Sequence, residues 1–144
     1  MTMPSQGMLE AAIGTRLGDD VMGEDPTVLE LEAFMADLFG KEKGLFVPTG
    51  TMANLVAILS HCNTQASEII KGSSLHLCLW EGRHAANLGG VHTLQVEEDE
   101  DARMSVEDVQ DNLHTNTKDH WPQTTLLCLE NTHNMMGGVA LPPS

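Results

Sequence analysis

Leu45-Phe46-Val47-Pro48-Thr49-Gly50-Thr51-Met52-Ala53-Asn54 changes backbone habit in the space of a single turn. Gly44 to Val47 has the character of a short buried strand, and Pro48 ends it because proline has no N–H to give to a ladder. Thr49 suits an N-cap, and Gly50 lets the backbone come close to whatever sits above it. Met52, Leu55, Val56 and Leu59, at offsets 0, 3, 4 and 7, then predict a helix with one apolar face. A strand that runs through Gly and Thr into a free helix start leaves N–H groups and the positive dipole end pointing one way. That is an anion site, and phosphate is its usual occupant. The run is not a nucleotide P-loop, since it lacks G-x-x-x-x-G-K-[ST], and most such junctions hold no ligand.

The remaining sequence narrows the setting. At 144 residues with 41% hydrophobic content, the chain suits one ordered domain, although aromatics are only 3% and tyrosine is absent. A formal charge of −14 disfavours nucleic acid and anionic membrane, because no basic stripe is available to release counterions. Cys62, Cys78 and Cys128 are too scattered for a disulfide frame or a zinc site. The seven histidines lack H-x-x-x-H spacing. The first residues have no signal-peptide profile, and no apolar run approaches the roughly 20 residues that span a bilayer. A soluble, cytoplasmic protein is expected.

Read in order, residues 1–18 form an arm with a short helix around Met8 to Arg16, and an acidic, glycine-rich loop follows. Asp25-Pro26 opens a helix closed by Gly40, with Val28, Leu31, Phe34, Met35 and Leu38 predicted to be its buried face. Glu68 to Lys71 is a second apolar piece, followed by the Gly72-Ser73-Ser74 turn. Small residues from Ala85 to Gly90 predict a close-packed helix, and Val91 to Val96 a strand. Five acids from Glu97 to Asp101 read as a solvated loop. Ser105 caps a helix lined by Val106, Val109 and Leu113. A polar linker over 114–123 leads into Thr125 to Leu129, apolar on both faces and so expected to be buried on both. Strands alternating with helices make the class α/β. In such sheets ligands gather beyond the strands' carboxyl ends. The Thr49–Thr51 and Glu130–Asn134 turns both lie at such ends, so His133 could share a crevice with the phosphate turn. A histidine there also serves as a satisfied turn residue.

Three runs, Gly18-Asp-Asp-Val-Met-Gly-Glu-Asp-Pro-Thr27, Phe46-Val-Pro-Thr-Gly-Thr-Met-Ala-Asn54 and Leu129-Glu-Asn-Thr-His-Asn134, together resemble the low-specificity threonine aldolases. That family belongs to the aspartate-aminotransferase-like (fold type I) pyridoxal 5'-phosphate enzymes and cleaves threonine, allo-threonine and similar β-hydroxy amino acids to glycine and an aldehyde. The resemblance covers essentially the whole chain. It implies that residues 1–144 are the N-terminal part of the family's large domain, an incomplete parallel sheet with its first helices, and that 1–25 are an arm and loop. It matches Gly50 and Thr51 to the residues that hold the cofactor phosphate. His76, five residues before Glu81, matches the histidine that stacks on the pyridine ring, and His133 the histidine near the substrate. Either His76 or His133, directly or through water, would then be the base for the β-hydroxyl proton. A full-length relative is expected to be a homo-oligomer acting on a small amino acid.

The departures from the family pattern are specific. Met22 stands where an aromatic is usual, Trp80 replaces a usual tyrosine, and Gly82-Arg83-His84 replaces a smaller glycine-rich turn. The family's opening Arg-Ser-Asp-Thr run is not present. Its Schiff-base lysine, pyridine-pairing aspartate and carboxylate-binding arginines all follow the Glu-Asn-Thr-His motif. Lys41, Lys43, Lys71 and Lys118 are the lysines here, and none stands in the family's lysine motif. The expectation is a chain inactive by itself, with the Gly44-to-Val47 strand poorly paired because its family neighbours come from later sequence. The alternative is a non-catalytic fragment that docks onto a full-length homologue. A generic phosphate- or nucleotide-binding α/β domain accounts for the motifs less well.

Overall fold

The computed structural model describes residues 3–64, 66–115 and 120–142. Met1 and Thr2 of the arm, the middle of the 114–123 linker with Lys118, and Ser144 lie outside the described residues. The chain divides into two compact units, Met1–Pro48 and Thr49–Ser144.

In the first unit, α1 (Gln6–Ile13) starts at a Ser5 cap, and a 3-10 turn spans Asp20–Met22. The next helix, α2 (Pro26–Phe39), begins as its sequence dictates. Asp25 caps it, proline takes the first turn, and Gly40 closes it in the left-handed conformation at φ 61°. The predicted apolar face does not pack, however. Leu31, Phe34, Met35 and Leu38 are exposed, and only Ala36 in the helix is buried. The amphipathic stripe is real, but no described residue covers it. Gly44 to Val47 likewise forms no strand. Its Phe46 N–H donates to the Glu32 carboxylate at 2.7 Å, and Leu45 and Phe46 stay exposed. The segment is thus unpaired as a strand, in keeping with the expectation for it.

The second unit opens with α3 (Gly50–His61) and holds a three-stranded parallel sheet in the order β2-β1-β3. Central β1 (Ser67–Gly72) is buried along its whole length. It pairs with β2 (His92–Val96) through Ile69↔Thr93 and Ile70↔Leu94. On its other side β3 (Gln123–Cys128) pairs through Ile69↔Leu126 and Ile70↔Leu127, after a register shift at Glu68/Ile69. Two short helices, α4 (His76–Leu79) and α5 (His84–Asn87), lie between β1 and β2 in sequence, and α6 (Val106–Asp111) lies between β2 and β3. Ile58 and Cys62 from α3, Ile69, Leu75, Leu77, Cys78, Ala85 and Val91 make the core, with Leu126 and Cys128 packed against it.

Two expectations reverse here. The buried side of α3 is Ile58 and Cys62 with half-buried Leu55, whereas Met52, Val56 and Leu59 are exposed. This helix is apolar nearly all round, so periodicity did not single out the side that meets the sheet. Strand β3 is not buried on both faces either. It is an edge strand whose residues alternate between exposed and half-buried, and Leu127 and Leu129 are exposed. The strand covered on both faces is β1.

Candidate active site

At the start of α3, Thr49 is extended (φ −143°, ψ 150°), and its hydroxyl accepts the Met52 N–H at 3.1 Å. Its carbonyl takes the Ala53 N–H at 3.0 Å. Among the described residues no acceptor sits on the N–H groups of Gly50 or Thr51. A Cβ added at Gly50 would meet nothing within 4 Å. The corner therefore offers two free donors, open space and the positive end of a twelve-residue helix.

One turn along the same face, Asn54 lines an open cleft of about 490 Å³. Its other walls include Ile58, His61, His76 and the run from Leu126 to Asn131, so the cleft lies along β3 and reaches past that strand's carboxyl end. His76 is placed by its own backbone, whose N–H donates to the Glu130 carboxylate. The other oxygen of Glu130 takes the Asn134 N–H at 2.8 Å, which ties the turn after β3 to the start of α4. The imidazole of His76, 45% exposed, reaches the buried Glu81 carboxylate through Nδ1 at 2.8 Å. Asn54 donates to the same oxygen, Oε1, at 2.7 Å.

His133 is elsewhere. It is fully buried, and its Nε2 lies 3.0 Å from Oε1 of Glu98, itself almost fully buried. Glu98 also accepts from the Ser74 N–H at 2.8 Å and from the Ser74 hydroxyl. The structure thus brings His76 to the cleft together with Glu130 and Asn54, with buried Glu81 bonded to His76, and sets His133 behind Glu98, away from the cleft lining. It also corrects the reading of the acidic run as solvated, since Glu98 is a structural acceptor there. Gly72 makes this possible, because a Cβ at that position would land in the Glu98 carboxylate. Glu81, Glu98 and Glu130 were missed as site residues because single acids carry no periodic signal.

At the opposite edge of the sheet, the Glu68 carboxylate is held by His92, His114 and Thr124 at 2.6, 2.9 and 2.8 Å. Among the described residues no group of three potential ligands could hold a metal ion, and no helix is long and apolar enough to cross a membrane. Burial, reinforced by Cys62 and opposed by Lys71, pushes the Cys128 thiol up to about 11, so it is no nucleophile near neutrality.

A parallel sheet with an open helix start and polar side chains collected at its carboxyl edge defines an α/β domain of the kind in which ligands gather beyond the strands. The chain belongs to the Beta-eliminating lyase family, which it matches over residues 1–144. It is 41% identical over 143 residues to the probable low-specificity L-threonine aldolase 2 of Arabidopsis thaliana, covering 99% of this chain and 40% of that protein. It is also 43% identical over 134 residues to the low specificity L-threonine aldolase of Escherichia coli K12, covering 93% of this chain and 40% of that one. The fold resembles that of the Leishmania major threonine aldolase, with a TM-score of 0.71 at 20% identity, over 93% of this chain and 37% of that one. The sequence spans about two-fifths of the length of these relatives.

Proposed function

We propose that this chain forms the phosphate-holding and ring-facing part of a pyridoxal-phosphate-dependent lyase of the threonine-aldolase type, acting in the cytoplasm on a small β-hydroxy amino acid such as threonine or allo-threonine. The observation that carries this reading is the continuity along α3. Its unoccupied Gly50 and Thr51 N–H groups stand one turn from Asn54, whose amide reaches the carboxylate that holds His76.

The residues fit the cofactor in part. The free N–H groups and helix dipole suit its phosphate, and the half-exposed imidazole of His76 suits the face of its ring. When bound, pyridoxal phosphate supplies the electron sink for breaking a Cα–Cβ bond. The chain's own residues grip the phosphate at Gly50 and Thr51 and present His76 to the β-hydroxyl proton. His133, the second candidate base, has Nε2 committed to Glu98 and stands behind it as a support. No lysine lines the cleft among the described residues. The chain therefore holds the cofactor without a covalent link and does not turn threonine over by itself.

The test is a titration of the purified chain with pyridoxal phosphate, with inorganic phosphate as competitor, alongside Gly50→Pro. Proline is favoured at the first helical position and follows the extended Thr49 without strain, so α3 survives while one N–H is removed. The expected result is saturable binding displaced by phosphate and weakened roughly tenfold by Gly50→Pro, as for one lost charge-assisted bond. Binding indifferent to both would overturn the reading. Glycine and acetaldehyde formed from threonine by the chain alone would overturn the inactivity.

A second reading, a non-catalytic fragment docking onto a full-length homologue, is favoured by the bare edge of β3 with exposed Leu127 and Leu129. Co-purification with a co-expressed threonine aldolase tests it.

A further inference from the structure

The polar groups behind His76 leave two orphaned atoms that explain each other. Glu81 Oε2 and His84 Nε2 are both buried, and neither has a hydrogen bond among the described residues, yet they face one another at 3.4 Å. The other nitrogen of His84, Nδ1, lies 2.7 Å from the Glu81 carbonyl oxygen. A carbonyl only accepts, so Nδ1 carries a hydrogen. A proton on either Oε2 or Nε2 would lie between the two, although at 3.4 Å they fall short of a hydrogen bond. In either assignment Oε1 of Glu81 is left as a pure acceptor, and Asn54 and His76 both point donors at it. His76 is thereby fixed with its hydrogen on Nδ1, and Nε2 presents a bare lone pair.

We propose that Glu81 and His84 are positioning residues: His84 braces Glu81 through its carbonyl and carboxylate, and Glu81 locks His76 in the Nδ1–H tautomer. This deepens the proposed function, since a base for a β-hydroxyl proton needs that lone pair free. His84 belongs to the Gly82-Arg83-His84 turn, where this sequence departs from the family pattern. The brace is thus a property of this chain's own residues.

Imidazole nitrogen NMR spectra of the whole chain, labelled with nitrogen-15 histidine, read the tautomer directly. They need no cofactor, so their outcome is independent of the binding titration. Measured above the ordinary histidine range near pH 6.5, with signals assigned by single His→Gln variants, His76 shows one tautomer, protonated at Nδ1. Glu81→Leu and His84→Leu convert it to the two-tautomer mixture of free imidazole. Glu81→Gln rescues the lock, because its amide oxygen accepts from His76 while its NH₂ donates to His84 Nε2. A wild-type His76 protonated at Nε2, or a lock that survives Glu81→Leu, overturns the proposal. If the leucine variants do not fold, the wild-type and Glu81→Gln spectra decide it. The tautomer lock found without any binding of pyridoxal phosphate would retire the proposed function and leave the brace standing.

Discussion

Asp25 uses one carboxylate to end a loop and start a helix. Its Oδ1 accepts from Thr27 and Val28 at 2.9 and 3.0 Å, while Oδ2 accepts from Gly18 at 2.9 Å. The Val28 and Gly18 N–H groups hold its pKa below the ordinary 3.8, against some desolvation and with help from Thr27. The depressed folded value fixes the sign of the pH effect: the stabilisation is present above the unfolded value and is lost as pH falls through the folded one. Circular dichroism below about pH 4 should therefore show part of the helical signal fading in the wild type. Asp25→Asn should flatten that step, and an unchanged profile would refute the assignment. Gly72 gives a second expectation at this scale. Adding a methyl group there displaces Glu98 from Ser74 and His133. Stranding a buried histidine costs about 1–3 kcal/mol, so Gly72→Ala should lower the urea midpoint accordingly. Asp25 was legible in the sequence because a cap and a following proline form a local code. Glu81, Glu98 and Glu130 were not, since their partners are as far as 27, 35 and 54 residues away.

Among the elements, α2 was legible at both ends and α3 at its start, because caps and the Gly40 stop act within a few residues. Their buried sides were not, because the side of an apolar helix that meets a sheet is chosen by the sheet. The same holds for β1 and β3: both carry apolar runs, and only pairing order makes one central and the other an edge. Helix α3 offers a clean separation of stability from binding. Thr49→Ala removes the acceptor for the Met52 N–H and should destabilise the second unit by about 1 kcal/mol, while Thr49→Ser keeps the cap. Gly50→Ala, with open space around its Cβ and a helical backbone, should stabilise the same helix by about 0.4–1 kcal/mol. Urea melts of the three variants check the order. A stabilising Thr49→Ala would mean that the Met52 N–H is held by something other than the cap.

Across the whole molecule, a charge of −14 opposes uncovered apolar surface. Leu31, Phe34 and Leu38 on α2, Leu45 and Phe46 after it, and Leu127 and Leu129 at the sheet edge are all exposed. Apolar surface of this extent marks association with another surface. Like-charge repulsion between copies resists that association, and salt screens it, with a Debye length falling from ~10 Å at 0.1 M to ~3 Å at 1 M. Sedimentation should therefore show larger species as salt is raised from 0.1 M to 1 M at fixed protein concentration. The direction of this response separates apolar from ionic association, since contacts made by ion pairs would weaken over the same range. Phe34→Gln supplies the second arm. Its side chain is already in water, so stability should move by less than about 0.5 kcal/mol. The salt-driven association should nevertheless weaken, because one large apolar group leaves the exposed face of α2. A chain that stays monodisperse at 1 M salt, or a Phe34→Gln variant that associates as readily as the wild type, would show that this face draws no partner.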